Sequence, residues 1–378
     1  MLLKLRSILG FSLLTAAIAA GCDDRAIRDA EERGRLAREA TAKAAAEASA
    51  AAAAKAAAPV IDKSDLGFFK VLPAKYESQA NPITDAKVTL GRMLYFEPRL
   101  SLGQDVSCNS CHGLDKFGVD NEPTSPGHKA QRGGRNSPTV YNAAGHTAQF
   151  WDGRAATVED QAKGPILNPV EMAMPDAAAV IKVLKSIPGY EPLFKAAFPG
   201  DKDPITYDNL AKAIGAFERQ LTTPSRWDKY LAGDEAALTD LEKAGFAKFA
   251  KLGCPTCHNG SNVGGHLYQK LGLVKPWPDE SDLGRYEVTK NDSDKMFFRV
   301  PTLRNIDKTG PYFHKGQIAT LEEVVRKMAW HQLGQEITDK DVTELVAFLK
   351  ALTGELPKDY ITKPELPPSG PTTPKPVN

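Results

Sequence analysis

Two five-residue stretches constrain this chain more than anything else in it: "CNSCH" at residues 108–112 and "CPTCH" at residues 254–258. C-x-x-C-H is the attachment signature of a c-type haem: the two thiols bond its vinyl groups and the adjacent histidine ligates iron. The first motif assigns Cys108 and Cys111 to attachment and His112 to the iron; the second assigns Cys254, Cys257 and His258. A redox dithiol or half of a zinc site would use the same cysteine spacing. Two copies in a chain that opens like an exported protein favour haem, and no Cys or His at short spacing completes a zinc site. Each motif therefore demands a haem-sized apolar pocket, and that demand sets the fold.

The export reading rests on residues 1–22. Lys4 and Arg6 precede the apolar run "ILGFSLLTAAIAA", and "AAGC" closes it with small residues. The placement of Cys22 resembles a bacterial lipobox, although Ala19 stands where leucine is preferred. Lipidation of Cys22 is the favoured expectation, and ordinary signal cleavage beside an incidental cysteine is the alternative. Residues 23–60 form an Ala-rich, charged linker with no large apolar side chains to bury. A tether from a lipid anchor and a plain low-complexity linker share that composition. No later run is apolar enough to span a bilayer. The formal net charge of +1 argues against nucleic acid, which calls for a strongly basic surface.

From about Ile61 the composition becomes globular, and length allows two or three domains. Helical periodicity marks "ITDAKVTLGRMLYF", "PDAAAVIKVLKSIPG" stopped at Pro188, and "NLAKAIGAFERQLTTP" stopped near Pro224. Capping boxes are expected at Thr239 with Glu242 and at Thr320 with Glu323. A last helix, "TDKDVTELVAFLKAL", should end at Gly354, before a Pro-rich tail extended over the surface. No convincing alternation of strand type appears.

The halves also repeat. Shifted by 163 positions (301 − 138), Pro138–Glu159 matches Pro301–Glu322 at 8 of 22 sites. Each half reads helix, CxxCH, long loop, repeated phrase, helix. The expected fold class is mostly α: two cytochrome c-like haem domains related by internal duplication, at 61–224 and 225–378, the second carrying the tail.

The late helix of the second half carries Met328, 70 residues after His258 (328 − 258). A thioether opposite histidine raises haem potential. Met296 is the rival ligand, and a core methionine is the ordinary use of such a residue. The ungapped repeat sets Met328 opposite Pro165, which cannot bind iron, so the first haem lacks a fixed ligand where the second has one. Near Pro165, His128 lies in the Pro/Gly-rich loop "SPGHKA", where an exposed histidine would be unremarkable. Glu171 sits in "LNPVEM" among apolar residues, where a carboxylate is costly unless used or paired; a helix-start or ion-pair role is its bland alternative. Trp151, opposite His314 in the repeat, reads equally as a core aromatic.

The two CxxCH motifs, "RNSPTVYNAA", "FWDGRAATVEDQ", "GPILNPVEM", "VPTLRNI", "GPYFHKGQ" and "MAWHQLG" together resemble the bacterial di-haem cytochrome c peroxidases, from about Leu66 to Pro367. The resemblance implies a low-potential peroxidatic haem with His112 proximal and His128 as its removable distal ligand. It implies a high-potential haem with His258 and Met328 that receives electrons. Glu171 becomes the acid/base, Gln161, Pro165 and Met172 line its pocket, and Trp151 lies on the electron path. One calcium ion between the domains is implied at Asn136, Thr309 and Pro311, a reasonable oxygen-donor set for that ion.

The implied activity is reduction of hydrogen peroxide in the periplasm by a homodimer, with a small cytochrome c or cupredoxin as donor. MauG-type enzymes, which oxidise tryptophans of a partner protein, share much of the pattern but carry tyrosine in place of Met328. That activity and a non-enzymatic di-haem electron carrier are the two alternatives.

Overall fold

The apolar stripe of Asp85–Tyr95 (α1), capped by Thr84, buries Leu90, Leu94 and Tyr95 just ahead of the first CxxCH. The computed structural model describes residues 61–377 and, before them, only Gly34, Arg35 and Thr41, which are helical. The chain divides into two units, Met1–Ala57 and Ala58–Asn378. The expected export signal, Cys22 and nearly all of the 23–60 linker lie outside the described residues. No described helix is long and apolar enough to cross a membrane.

After the first motif come Val158–Leu167 (α2), Ala177–Lys185 (α3), Tyr190–Ala197 (α4) and Tyr207–Glu218 (α5). Arg226–Leu231 (α6) and Asp240–Lys251 (α7) precede the second motif, and Leu321–Leu333 (α8) and Asp339–Ala351 (α9) follow it. The fold is mostly helical. One short antiparallel pair, Tyr268–Lys270 (β1) with Phe297–Arg299 (β2), sets Tyr268 opposite Arg299.

In each half the helix before the motif crosses the half's last long helix with backbones almost touching. A methyl group on Gly91 would sit 1.9 Å from the Ala213 carbonyl oxygen, so α1 meets α5 there with no side chain between them. A methyl group on Gly245 would sit 1.9 Å from the Glu344 carbonyl oxygen, where α7 meets α9. Around the first crossing, Leu94, Tyr190, Phe194 and Phe217 pack into one buried core. Around the second, Trp227, Phe246, Leu345 and Phe348 form another. Both ends of the described chain cross over. Phe69 packs into the second core, whereas Leu356, Tyr360 and Ile361 pack against the first.

The repeated phrase has a matching backbone in both halves at the same 163-residue offset. Asn142 and Asn305 both adopt φ 61°, Phe150 and Phe313 both φ 66°, and Gly153 and Gly316 φ 69° and 63°. The Gln149 N–H donates to the Ala155 carbonyl (2.8 Å), and the Tyr312 N–H donates to the Ile318 carbonyl (2.7 Å). Asn142 Oδ1 accepts from the Thr223 N–H (3.1 Å), and Asn305 Oδ1 from the Gly354 N–H (2.9 Å). Left-handed backbone at non-glycine residues is costly and persists only where surrounding bonds over-determine it. The two asparagines supply those bonds.

Some local expectations change. The Thr239–Glu242 capping box forms, but Thr320 is only half of one. Its hydroxyl accepts from the Glu323 N–H, while the Glu323 carboxylate turns to Lys327 (3.6 Å). Helix α5 stops at Glu218, ahead of Pro224, and the Arg219 side chain that follows binds Glu159 through two bonds of 2.8 Å. Helix α9 stops at Ala351 because the Gly354 N–H is committed to Asn305. The Pro-rich tail is extended, as its composition predicts, and is tied to the first half: Pro367 O accepts from Arg99 (2.8 Å) and the Val377 N–H donates to Leu102 (3.0 Å).

Gly245→Ala should cost about 1–3 kcal/mol, the usual range for overpacking a core. A lowered thermal unfolding midpoint in the haem-loaded protein is the expected reading, and an unchanged midpoint would refute the tight crossing.

Candidate active site

Each CxxCH forms a tight turn at the mouth of its own cavity. Cys108–Cys111 is one helical turn and Cys254–Thr256 a 3-10 turn. The N–H of His112 donates to Cys108 O (2.9 Å) and that of His258 to Cys254 O (3.0 Å). Cys108, Cys111 and His112 line a cavity of about 160 Å³; Cys254, Cys257 and His258 line one of about 410 Å³. Burial pushes all four thiols up, Cys111 to about 11 and Cys254 to about 12. Such thiols are neither paired to each other nor ionised for metal binding.

Burial also lowers the basicity of both histidines, His258 to about 4 and His112 in the same direction. The backbone of Gly118 and Pro138 offsets part of that effect at His112; Val263 and Pro301 do so at His258. Pro138 and Pro301 are equivalent positions of the repeat. Neutral imidazoles, each beside two unbridged thiols, fit covalently attached haem at both places.

The first cavity gathers most of the residues singled out in the first half. Trp151, Gln161, Pro165, Glu171 and Met172 all line it. Glu171 Oε1 accepts from Asn168 Nδ2 (2.8 Å). Burial raises its pKa, while the Arg154 guanidinium and the Asn168 bond act against the rise. A carboxyl raised toward neutrality and opening into a cavity is suited to carrying a proton. Arg154 lines the same cavity, 3.5 Å above the Phe150 ring, and binds Asp152. Its role was invisible in the sequence, where it is one basic residue in "DGRAA".

His128 is buried, and its N–H donates to Glu171 O (2.7 Å), so its loop is pinned beside Glu171. The histidine itself is not part of the cavity wall; Gly127 is. A methyl on Gly127 would meet the Val170 carbonyl at 2.2 Å, so only glycine lets the loop lie this close. Lys129 and Ala130 hold left-handed backbone at φ 55° and 58°.

The second cavity includes Met328 and excludes Met296. Met296 is buried elsewhere, with Leu271, Trp277 and Phe298. Between the cavities runs a shared partition, with Asn136, Pro138, His146, Trp151 and Arg299 exposed to both. Trp151 Nε1 donates to Asn136 O (2.9 Å), and its ring meets His314 edge-on at 6.4 Å. Thus the two residues that face each other in the repeat touch in space. His314 stacks on Phe298 at 4.3 Å, and burial holds it down to about 4.

Asn136, Thr309 and Pro311 all border the second cavity. Asn136 is braced by Glu122 O (3.0 Å), and Asn121 by the Lys308 and Gly310 carbonyls (3.0 and 2.9 Å). Among the described residues no group of three or more His, Cys, Asp or Glu is placed to hold a metal. Any cation at these positions would rely on amide, hydroxyl and backbone oxygens, a set that calcium accepts.

The fold and its two cavities define a class: a mostly helical protein with two separate attachment sites for haem c. Residues 85–236 match the family model described as di-haem cytochrome c peroxidase. The cytochrome c551 peroxidase of Pseudomonas aeruginosa is 46% identical over 316 residues, 82% of this chain and 90% of that protein. The cytochrome c551 peroxidase of Nitrosomonas europaea is 49% identical over 288 residues, 76% of this chain and 85% of that one. The crystal structure of a MauG-like protein associated with microbial copper homeostasis matches with a TM-score of 0.69 at 28% identity, covering 78% of this chain and 97% of that chain. The chain belongs to the di-haem cytochrome c peroxidase family.

Glu218, at the last turn of α5, is a cavity residue that sequence reading missed because "AFERQ" looks like an ordinary helix end. Burial, helped by the Glu159 charge and opposed by Arg219, raises it to about 8. The folded protein therefore keeps a proton that the unfolded chain releases, and stability falls as pH rises from about 5 to about 8. Glu218→Gln should flatten that fall in the unfolding midpoint; an equally steep fall in the variant would remove Glu218 as its cause.

Proposed function

We propose that this protein is a periplasmic peroxidase. It reduces hydrogen peroxide to two waters with two protons and two electrons drawn from a small cytochrome c or cupredoxin. One observation carries the reading. At the same register of α2 and α8, the first cavity has Pro165 and the second has Met328. A cavity with proline at that place leaves a position for substrate, while a thioether closes the other. The matching backbone angles and bonds of the repeat support two cytochrome c-like halves, 61–224 and 225–378, related by internal duplication.

Cys108, Cys111 and His112 hold the first haem, and Cys254, Cys257, His258 and Met328 the second. Bound haem would supply redox-active iron, relaying to the substrate the electrons that the donor protein provides. The chain supplies the proton chemistry. Glu171 takes a proton from the inner peroxide oxygen and delivers it to the outer one, so that water leaves as the O–O bond breaks. Arg154 keeps Glu171 from rising so far that it cannot give its proton up, and Asn168 holds its orientation. Gln161 and Met172 shape the pocket around the substrate.

Trp151, fixed through Nε1 and lining both cavities, carries electrons from the second half to the first. His128 would be the removable ligand of the first haem, on a loop held beside Glu171 by the His128 N–H. Calcium at Asn136, Thr309 and Pro311 braces the partition between the halves. The export signal at 1–22 supports the periplasmic location, with lipid at Cys22; the working form is a homodimer.

Glu171→Gln should retain both haems and lower turnover by about 10²–10⁴-fold. Near-normal turnover would remove Glu171 from the acid/base role. Half-reduced, calcium-loaded enzyme should turn over peroxide faster than the fully oxidised form, and chelation should slow it. Equal rates in all three states would contradict both the gate at His128 and the calcium brace.

A further inference from the structure

Arg299 is the exception among the buried cations of the described chain. Arg219 binds Glu159 through two bonds of 2.8 Å, and Arg304 binds Asp228 at 2.7 and 2.8 Å. Arg299 is only 2% exposed, yet its guanidinium reaches nothing stronger than the carbonyls of Phe150 (3.3 Å) and Val300 (3.5 Å). Among the described residues no carboxylate pairs with it. Its neighbour His146 offers no negative charge, and neither of its ring nitrogens has a hydrogen-bond partner.

A buried charge without a counter-ion costs several kcal/mol, so a fold that keeps one is built around a partner from outside the chain. Burial pushes Arg299 down only to about 10, which leaves it charged at neutral pH. The side chain borders both cavities. The groups due to fill those cavities each bring two carboxylates on flexible propionate arms.

We propose that Arg299 is the counter-ion of a haem propionate at the partition, its planar guanidinium suited to bidentate binding of a carboxylate. The same residue joins the two halves. Its N–H donates to Trp151 O (2.8 Å) and its Nε to Phe150 O. A fixed positive charge there favours the reduced state of the haem whose propionate it binds, and it holds the Trp151 backbone against the second half. Arg299 is thus a positioning and electrostatic residue; it touches no peroxide.

The assignment rests on reading both cavities as haem sites. Wild-type protein lacking two haems per chain would fail that reading, whereas the following outcomes bear on Arg299 alone. Redox titration of the di-haem protein, each haem followed by its own absorption, should show a lowered midpoint potential in Arg299→Gln. Arg299→Lys should restore most of the shift. Whether the first haem, the second or both respond identifies the propionate. Unchanged potentials at both haems, in a variant carrying two haems, would overturn the proposal. If Arg299→Gln does not assemble, a determined structure of the wild-type di-haem protein decides. A propionate oxygen within hydrogen-bond distance of the guanidinium supports the assignment, and a guanidinium met only by water and backbone refutes it.

Discussion

The close crossings of α1 on α5 and α7 on α9 are the constraint on which the rest of the structure depends. At Gly91 and Gly245 helix backbones touch with no side chain between them. Each crossing brings the segment that leads into CxxCH against the helix that closes the half. The cavity then opens between the motif and that helix: Cys108 faces Glu218 across the first, and Cys254 faces Leu345 and Leu349 across the second. Separating either pair by the thickness of a methyl group would widen the very gap a haem must fill. Close packing makes such slack expensive.

Electrostatics then makes the two cavities unlike. The first holds carboxyl groups raised by burial, at Glu171 and Glu218, with Arg154 tempering one and Arg219 the other. The second is larger, and no Asp or Glu lines it. Carboxyl groups able to carry a proton thus line the first cavity and not the second. Between them stands a partition tied both within the first half, Trp151 to Asn136, and across the halves, Arg299 to Trp151, while Arg135 beside it binds both Asp152 and Asp282. A path for electrons needs such rigidity more than it needs any one residue type.

Much of this was legible in the chain. Helices α1, α3, α5, α7, α8 and α9 follow from periodicity and caps, because Thr84, Asp176, Thr206, Thr239, Thr320 and Thr338 mark their starts by local chemistry. The choice of Met328 over Met296 was open in one dimension and closes in three, since only Met328 reaches the cavity. The shared wall could not be read, because Arg299 and Trp151 stand 148 positions apart (299 − 151) and meet only in the folded chain. His128 is expected near Pro165; the fold bonds its N–H to Glu171 O but leaves it out of the cavity wall, beside left-handed backbone at Lys129 and Ala130 that no local pattern announces. The half-formed cap at Thr320 failed because Lys327 competes for Glu323.

The sequence alone determined that the chain carries two CxxCH motifs, that the fold is helical, and that one repeat carries proline where the other carries methionine. Those facts are written in covalent order and in spacings of a few residues. Only the tertiary structure decided which methionine faces a cavity, which carboxyls are raised by burial, and which arginine is left without a partner. Each of these depends on what distant segments exclude: water, a counter-charge or another side chain. Exclusion is a property of the packed chain, and no local spacing encodes it.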